Sequence, residues 1–366
     1  MQHDVLYQVA LTLVPQIGDV HAKALVGHFG DAQSVFKARK KDLENLEGMG
    51  TVRASNIKAF TNYKRCEEEL AFIEKYKITP LFINQPTYPK RLLNCYDSPV
   101  LLYYRGNTDI NQQKIISVVG TRNNSDYGKT VCETLLQNLA NEKILIVSGL
   151  AFGIDTIAHK AALKNNLDTV GVLAHGLDRI YPAQNKTLAR QMTEQGGLLT
   201  EFMSNTNADK QNFPKRNRLV AGMCDVVLVV ETGKKGGSLI TAELGNNYNK
   251  DVFAIPGRTT DVNSEGCNYL IKNNKAALIN DADDLLEMMG WSSQLKKQTA
   301  KQTQLFIELS DDEKIIVTLL QQQAQVHIDE LYLKSGLSSS AVAAALLMLE
   351  MQGVIICLPG KMYKLS

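Results

Sequence analysis

A chain of 366 residues is long enough for two or three domains, each with its own core. Its composition is ordinary for a globular protein, 44% hydrophobic and 21% charged, and a formal net charge of +2 excludes neither nucleic acid nor small metabolites. The six cysteines include no C-x-x-C pair, so neither a metal nor a redox site is predicted. The N-terminus lacks a signal-peptide pattern and no apolar run reaches membrane-spanning length, which predicts a cytoplasmic protein with no membrane partner.

From residue 1 to about 80 the sequence reads as short helices with glycine turns. V-P-Q-I-G-D-V-H-A-K-A-L (14–25) pairs with L-E-G-M-G-T-V-R-A-S-N-I (46–57). Each places a hydrophobe between turn residues, then an alanine, Ala22 or Ala54, at which a second helix can pack closely. The pattern resembles the tandem helix-hairpin-helix (SAM-like) fold, whose hairpin N–H groups can hold a DNA phosphate. The second copy has the full Gly48-Met49-Gly50 turn; the first carries Gln16 in place of its leading glycine. Charges in this segment nearly cancel, which leaves a structural role and DNA contact equally open.

From 81 to 290 apolar strands alternate with helical stretches. The strands are I-I-S-V-V-G (115–120), I-L-I-V-S-G (144–149), T-V-G-V-L-A (169–174), D-V-V-L-V-V-E (225–231) and D-V-F-A-I-P-G (251–257). Near-continuous Val/Ile runs with helices between them predict a Rossmann-like parallel sheet covered on both faces. In such folds the ligand sits outside the carboxyl ends of the strands, several of which stop here at Gly120, Gly149 and Gly257.

Residues 291–304 are polar, carry no apolar period, and read as a linker. Residues 305–366 give helices over 311–323, 328–335 and 338–352 and then a hairpin, the order of a winged helix. Its third helix contains no Lys or Arg, and the segment holds seven acidic residues against four lysines, a net of −3. Phosphate neutralisation supplies most non-specific DNA affinity, so the tail reads as a protein-contact module or spacer.

The rim of the sheet carries the chemistry. The first strand ends in V-V-G-T-R, not in a G-x-G-x-x-G fingerprint, and no acid follows the second strand at a ribose-binding position, so no nicotinamide or flavin cofactor is predicted. In N-F-P-K-R-N-R (212–218) Pro214 predicts the first residue of a helix. Lys215, Arg216 and Arg218 then crowd a helix start that already repels cations, which implies an anionic ligand. Glycines at Gly153 and Gly236-Gly237-Ser238 open two helix N-termini onto the same rim, Arg122, Lys234 and Lys235 add charge, and Phe152, Tyr181 and Phe213 add rings. Phosphate seats, arginines and stacking rings together suit single-stranded nucleic acid. Asp155 and His159, four apart on a helix, read as structural hydrogen-bonding groups, and Ser148 and Ser238 as hydroxyl contacts to phosphate.

The motifs V-V-G-T-R, S-G-L-A-F-G-I-D-T-I-A-H, H-G-L-D-R-I-Y-P-A-Q-N, F-P-K-R-N-R-L-V-A-G, G-G-S-L-I-T-A and V-F-A-I-P-G, in this order, look like the DNA-processing protein A (DprA/Smf) family. The resemblance covers essentially the whole chain. It implies a bacterial single-stranded DNA-binding protein, not an enzyme, that protects incoming DNA in natural transformation and loads a RecA-type recombinase, as a homodimer built through the sheet domain. Carried over, the DNA site falls on Gly120, Arg122, Ser148, Gly149, Gly153, Phe213, Lys215, Arg216, Asn217 and Arg218, joined by Ser238 and Thr241. Phe152 departs from the family at a position basic in many members, as does Gly237 where relatives commonly carry a serine. A second resemblance is to nucleoside-monophosphate phosphoribohydrolases, through G-G-S-L-I-T-A-E ending in Glu243. There the threonine is one position late and the preceding proline is absent. Substituting Arg122 or Arg216 is expected to weaken DNA binding with little change in stability.

Overall fold

The structure, a computed structural model, describes residues 2–292, 309–323, 325–358 and 361–365. Two compact units result, 1–292 and 293–366. The linker expected over 291–304 lies, from 293 onward, outside the described residues, as do residues 305–308 of the tail.

Six helices lead the first unit: α1 Gln2–Leu13, α2 Asp19–Phe29, α3 Ala32–Lys37, α4 Lys40–Glu44, α5 Gly50–Lys58 and α6 Tyr63–Lys75. The two hairpins precede α2 and α5. Gln16 takes the left-handed backbone (φ 62°) that Gly48 takes in the second copy (φ 79°). Arg53 ties the hairpins together, donating to Gln16 O (3.2 Å) and Gly48 O (2.8 Å). These helices do not close a core alone: Val9, Leu25, Val35 and Ile57 are buried in one cluster with Phe82, Leu101 and Tyr103 of the sheet edge.

The sheet has nine strands: β1 Thr79–Phe82, β2 Leu101–Gly106, β3 Lys114–Gly120, β4 Ile144–Ser148, β5 Thr169–Val172, β6 Gly196–Thr200, β7 Val226–Glu231, β8 Asp251–Ala254 and β9 Ala277–Leu278. Their order is β1-β2-β6-β5-β4-β3-β7-β8-β9. From β6 to β9 every pairing is parallel, while β1 and β2 add antiparallel pairs at one edge. Helices α7 Asp126–Asn138, α8 Ile154–Lys164, α9 Lys186–Glu194, α10 Asn212–Gly222, α11 Gly237–Asn247, α12 Glu265–Lys272 and α13 Ala282–Met288 intervene. Two buried clusters, one around Val119, Leu145 and Val227 and one around Val118, Ile146 and Leu228, show that successive side chains of one strand enter opposite layers. Strand order reverses between β3 and β7, which opens a crevice at their carboxyl ends.

The second unit comprises α14 Asp311–Gln321, β10 Val326–His327, α15 Ile328–Ser335, α16 Ser339–Met351, β11 Ile355–Leu358 and β12 Met362–Leu365, a winged helix. Ser310 and Glu313 form a capping box at the start of α14, and Ser338 caps α16. Its own core includes Ile316, Leu331, Val342, Leu346 and Ile355. The outer face of α16 is apolar, with Leu347, Met348 and Met351 exposed. Among the described residues no single helix is long and apolar enough to cross a membrane.

Candidate nucleic-acid interface

The crevice holds a groove of about 770 Å³. Most of its wall comes from the turn after β3 with Gly120 and Arg122, the loop after β4 with Gly149, the first turns of α10 with Phe213, Arg216 and Asn217, and the start of α11 with Gly236, Gly237, Ser238 and Thr241; Tyr181 and the loop with Lys210 complete it. The β3–β7 pairing shifts register between Val119 and Gly120, where β3 ends at the groove. Glu231 then anchors the turn, accepting from Ser125 N (2.9 Å) and Ser125 Oγ (2.6 Å) at the start of α7. Gly120 is forced, since a Cβ there would lie 2.5 Å from Ile154 and 2.9 Å from Glu231 O.

Arg216 forms the buried side of the groove with only 4% of its surface exposed. Its Nη1 donates to the carbonyls of Gly149 and Val172, and its Nε to Asn217 Oδ1 (3.1 Å). A Cβ on Gly149 would lie 2.4 Å from Nη1, so the guanidinium fits only beneath a glycine. Burial pushes the Arg216 pKa down to about 10, against the opposing charge of Asp155, so the group stays cationic at neutral pH. No carboxylate makes an ion pair with it among the described residues. The three hydrogen bonds and the nearby charge of Asp155 offset part of the desolvation cost of this buried cation, and an anion in the groove offsets more.

Asp155 accepts from Gly149 N (3.2 Å) and Ala151 N (3.3 Å), and burial raises its pKa. His159 is fully buried against Thr169 Oγ1 (2.7 Å), and burial pushes its pKa down to about 3, so the ring is neutral. Neither touches the other: both are structural, as the sequence suggests, but not as a pair. Above Arg216, Phe213 stacks its ring edge on Tyr181 (centroids 6.0 Å) and lies 5.3 Å from the guanidinium carbon of Arg122. Arg122 is exposed and has no acidic partner among the described residues. The N–H groups of Gly237 and Ser238 open α11 without an acceptor among the described residues, so its dipole end faces the groove.

Several expected contacts lie elsewhere. Helix α10 starts at Asn212, so Pro214 is its third residue and the cations begin at its fourth. Helical spacing then sends them apart. Arg216 turns inward, Lys215 is exposed outside the groove, and Arg218 is taken by Asp19 Oδ2 (3.0 Å), Glu201 and Asp97 O. Arg218 thus docks the first hairpin on the sheet and is not a groove residue. Ser148 is buried and donates to Val118 O (2.6 Å), beyond reach of a phosphate. Gly153 supports rather than contacts: its φ is +74°, a Cβ would strike Thr121 O, and Ile154 N donates to that same carbonyl. The N-terminus of α8 is accordingly part-used. The hydroxyl of Ser238 donates to Thr232 Oγ1 (2.7 Å), and Lys234 pairs with Glu265 (3.5 Å).

Lys210, exposed on the groove wall, was not singled out by the sequence. It lies just ahead of the N-F-P-K-R-N-R run, in a loop without periodicity. The phosphoribohydrolase reading needs Glu243 at the groove, yet its exposed carboxylate pairs with Lys275 (3.2 Å) and does not line it.

Residues 79–290 match the family described as DNA recombination-mediator protein A, and residues 300–361 match the DprA winged helix domain. The chain is 31% identical to protein Smf of Synechocystis over 98% of both chains. It is 40% identical to DNA processing protein DprA of Streptococcus pneumoniae, over 69% of this chain and 96% of that one. The X-ray structure of the Streptococcus pneumoniae protein superposes with a TM-score of 0.67 at 33% identity, covering 77% of this chain and 97% of the other. A structure of DNA processing protein A from Helicobacter pylori, solved for its single-stranded DNA binding mode, matches with a TM-score of 0.53 at 31% identity, covering 58% and 95%. Motif order, groove and both matched domains agree, and the chain belongs to the DNA recombination-mediator protein A family.

Proposed function

We propose that this chain binds single-stranded DNA along the groove, protects it and hands it to a RecA-type recombinase in the cytoplasm, without catalysing a reaction itself. One observation carries the binding: Arg216 is a buried cation with no ion pair among the described residues, set beside Arg122, which has no acidic partner among them, and the open N-terminus of α11. That arrangement presents charge and N–H groups to a phosphate, while Phe213 and Tyr181 offer faces to a base. The groove presents strand-end turns and helix N-termini, neither of which inserts into a duplex groove. The Helicobacter pylori relative's single-stranded DNA binding mode agrees with this reading.

The chain acts as a homodimer through its sheet. Strand β9 ends the sheet with an unpaired edge, beside exposed Leu278 and Tyr269. Titrating the full chain with a labelled oligonucleotide and with the matching blunt duplex tests the binding: the single strand binds far more tightly, and a duplex preference contradicts the proposal. Light scattering in the same buffer tests the dimer, which a strict monomer at tens of micromolar overturns.

A further inference from the structure

One of the sequence motifs, V-F-A-I-P-G, contributes nothing to the groove, yet it is built with care. Gly257 is locked by Asn268, which accepts from Gly257 N (3.2 Å) and donates to Gly257 O (3.0 Å). A Cβ on Gly257 would fall 2.0 Å from Ser264 Oγ, so the turn admits only glycine. Pro256 O accepts from the Tyr127 hydroxyl (2.7 Å), which fixes the ring while 47% of the residue stays exposed. Tyr127, Pro256, Gly257, Arg258 and Asp261 line an open cavity of about 650 Å³ at the carboxyl end of β8.

Three features of this cavity point to a ligand. The ring is exposed, and its polar end is already satisfied, so its face is what it offers. Arg258 is exposed with no side-chain partner among the described residues. Asp261 puts a carboxylate at the same wall, which repels a phosphate but accepts from an exocyclic amino group. The cavity also adjoins the groove along the chain. The turn from β3 to α7 carries Arg122 on its groove side and leads into Tyr127 in the first turn of α7, five residues on. Their Cα atoms are therefore at most about 18 Å apart. Asn263 Nδ2, donating to Asn123 O (3.2 Å), holds that turn to the loop after β8.

We propose that this cavity is a second subsite for the same single strand, in which a nucleobase stacks on Tyr127, Asp261 accepts from its amino edge, and Arg258 neutralises the flanking phosphate. The proposal rests on the reading that the groove takes single-stranded DNA. It lets a strand leaving the groove run over the β3–α7 turn without losing contact, and gives that stretch a preference for cytosine over thymine.

The test uses the full chain and oligonucleotides of about 20 nucleotides carrying 5-iododeoxyuridine, with photo-crosslinking and fluorescence anisotropy on the same samples. The wild type crosslinks through Tyr127 as well as through the groove rings. Tyr127→Ala weakens binding about tenfold, Tyr127→Phe keeps it within about twofold, and Asp261→Ala removes the preference for oligo-dC over oligo-dT. Crosslinks confined to Phe213 and Tyr181, or wild-type affinity in Tyr127→Ala, overturn the second subsite while leaving the groove intact. Failure of the wild type to bind any single strand overturns both.

Discussion

Arg122 and Arg216 stand on one ring, their guanidinium carbons 5.3 and 6.0 Å from the centroid of Phe213, yet one is exposed and the other is buried. The same charge is therefore freely offered at one position and held by backbone carbonyls at the wall of the groove at the other. Arg122→Ala is predicted to shift the melting temperature by no more than about 1 °C, as a surface substitution does. Arg216→Ala leaves the carbonyls of Gly149 and Val172 without their donor and is predicted to destabilise by about 2–4 kcal/mol. Calorimetry on the two variants checks the contrast; the burial of Arg216 argues against the expectation that its substitution spares stability, while for Arg122 that expectation stands.

Gly149→Ala is the mildest change that reaches Arg216. The new methyl would lie 2.4–2.6 Å from three atoms of the guanidinium, which must then leave its pocket. The variant is predicted to lose about 1–3 kcal/mol of stability and to bind single-stranded DNA more weakly than Arg122→Ala. Thermal unfolding and anisotropy check this.

The parallel sheet was legible because Val/Ile runs buried on both faces leave a strong signal, and β3, β4, β5, β7 and β8 fall where those runs lie. Strand β6 was not, because G-G-L-L-T opens with two glycines and has no β-branched residue before its last position. Gly120, Gly149, Arg122, Phe213 and Arg216 were legible as rim residues, since parallel topology gathers strand ends. What the sequence could not separate is charge used inside from charge offered outside. Arg216 and Arg218 stand two apart on α10, and only the fold places acids beside the second: Asp19 comes from the hairpin helix and Glu201 from the end of β6.

Arg218→Ala therefore behaves unlike its neighbour. It leaves Asp19 and Glu201 partly buried without their cation and is predicted to destabilise by about 3 kcal/mol while single-stranded DNA affinity stays within about twofold. A large loss of affinity in a folded Arg218→Ala protein would return this residue to the DNA site.

The same cluster predicts a pH dependence. Burial pushes the Glu201 carboxyl up to about 7, against the charge of Arg218. In the unfolded chain it titrates at the ordinary value near 4.3, so between these values the folded state binds the extra proton. Stability from this group is full below about 4.3 and is lost as pH rises through 7. The melting-temperature difference, wild type minus Glu201→Gln, is thus predicted to shrink from pH 5 to pH 7.5. A difference that grows with pH shows an ion pair strong enough to hold the carboxyl down.

A phosphate chain of single-stranded DNA that occupies the groove is predicted to be met by Arg122 above and Arg216 below. The most direct test is a salt titration of oligo-dT binding by the wild type and by Arg122→Ala. Each neutralised phosphate contributes about 0.7 to the log–log slope, so three to five contacts predict a wild-type slope of roughly −2 to −3.5. Removing Arg122 is predicted to lower affinity by about 1.5–3 kcal/mol and to make the slope shallower by about 0.7, with the melting temperature held. Unchanged affinity and slope in a folded Arg122→Ala protein would contradict the account.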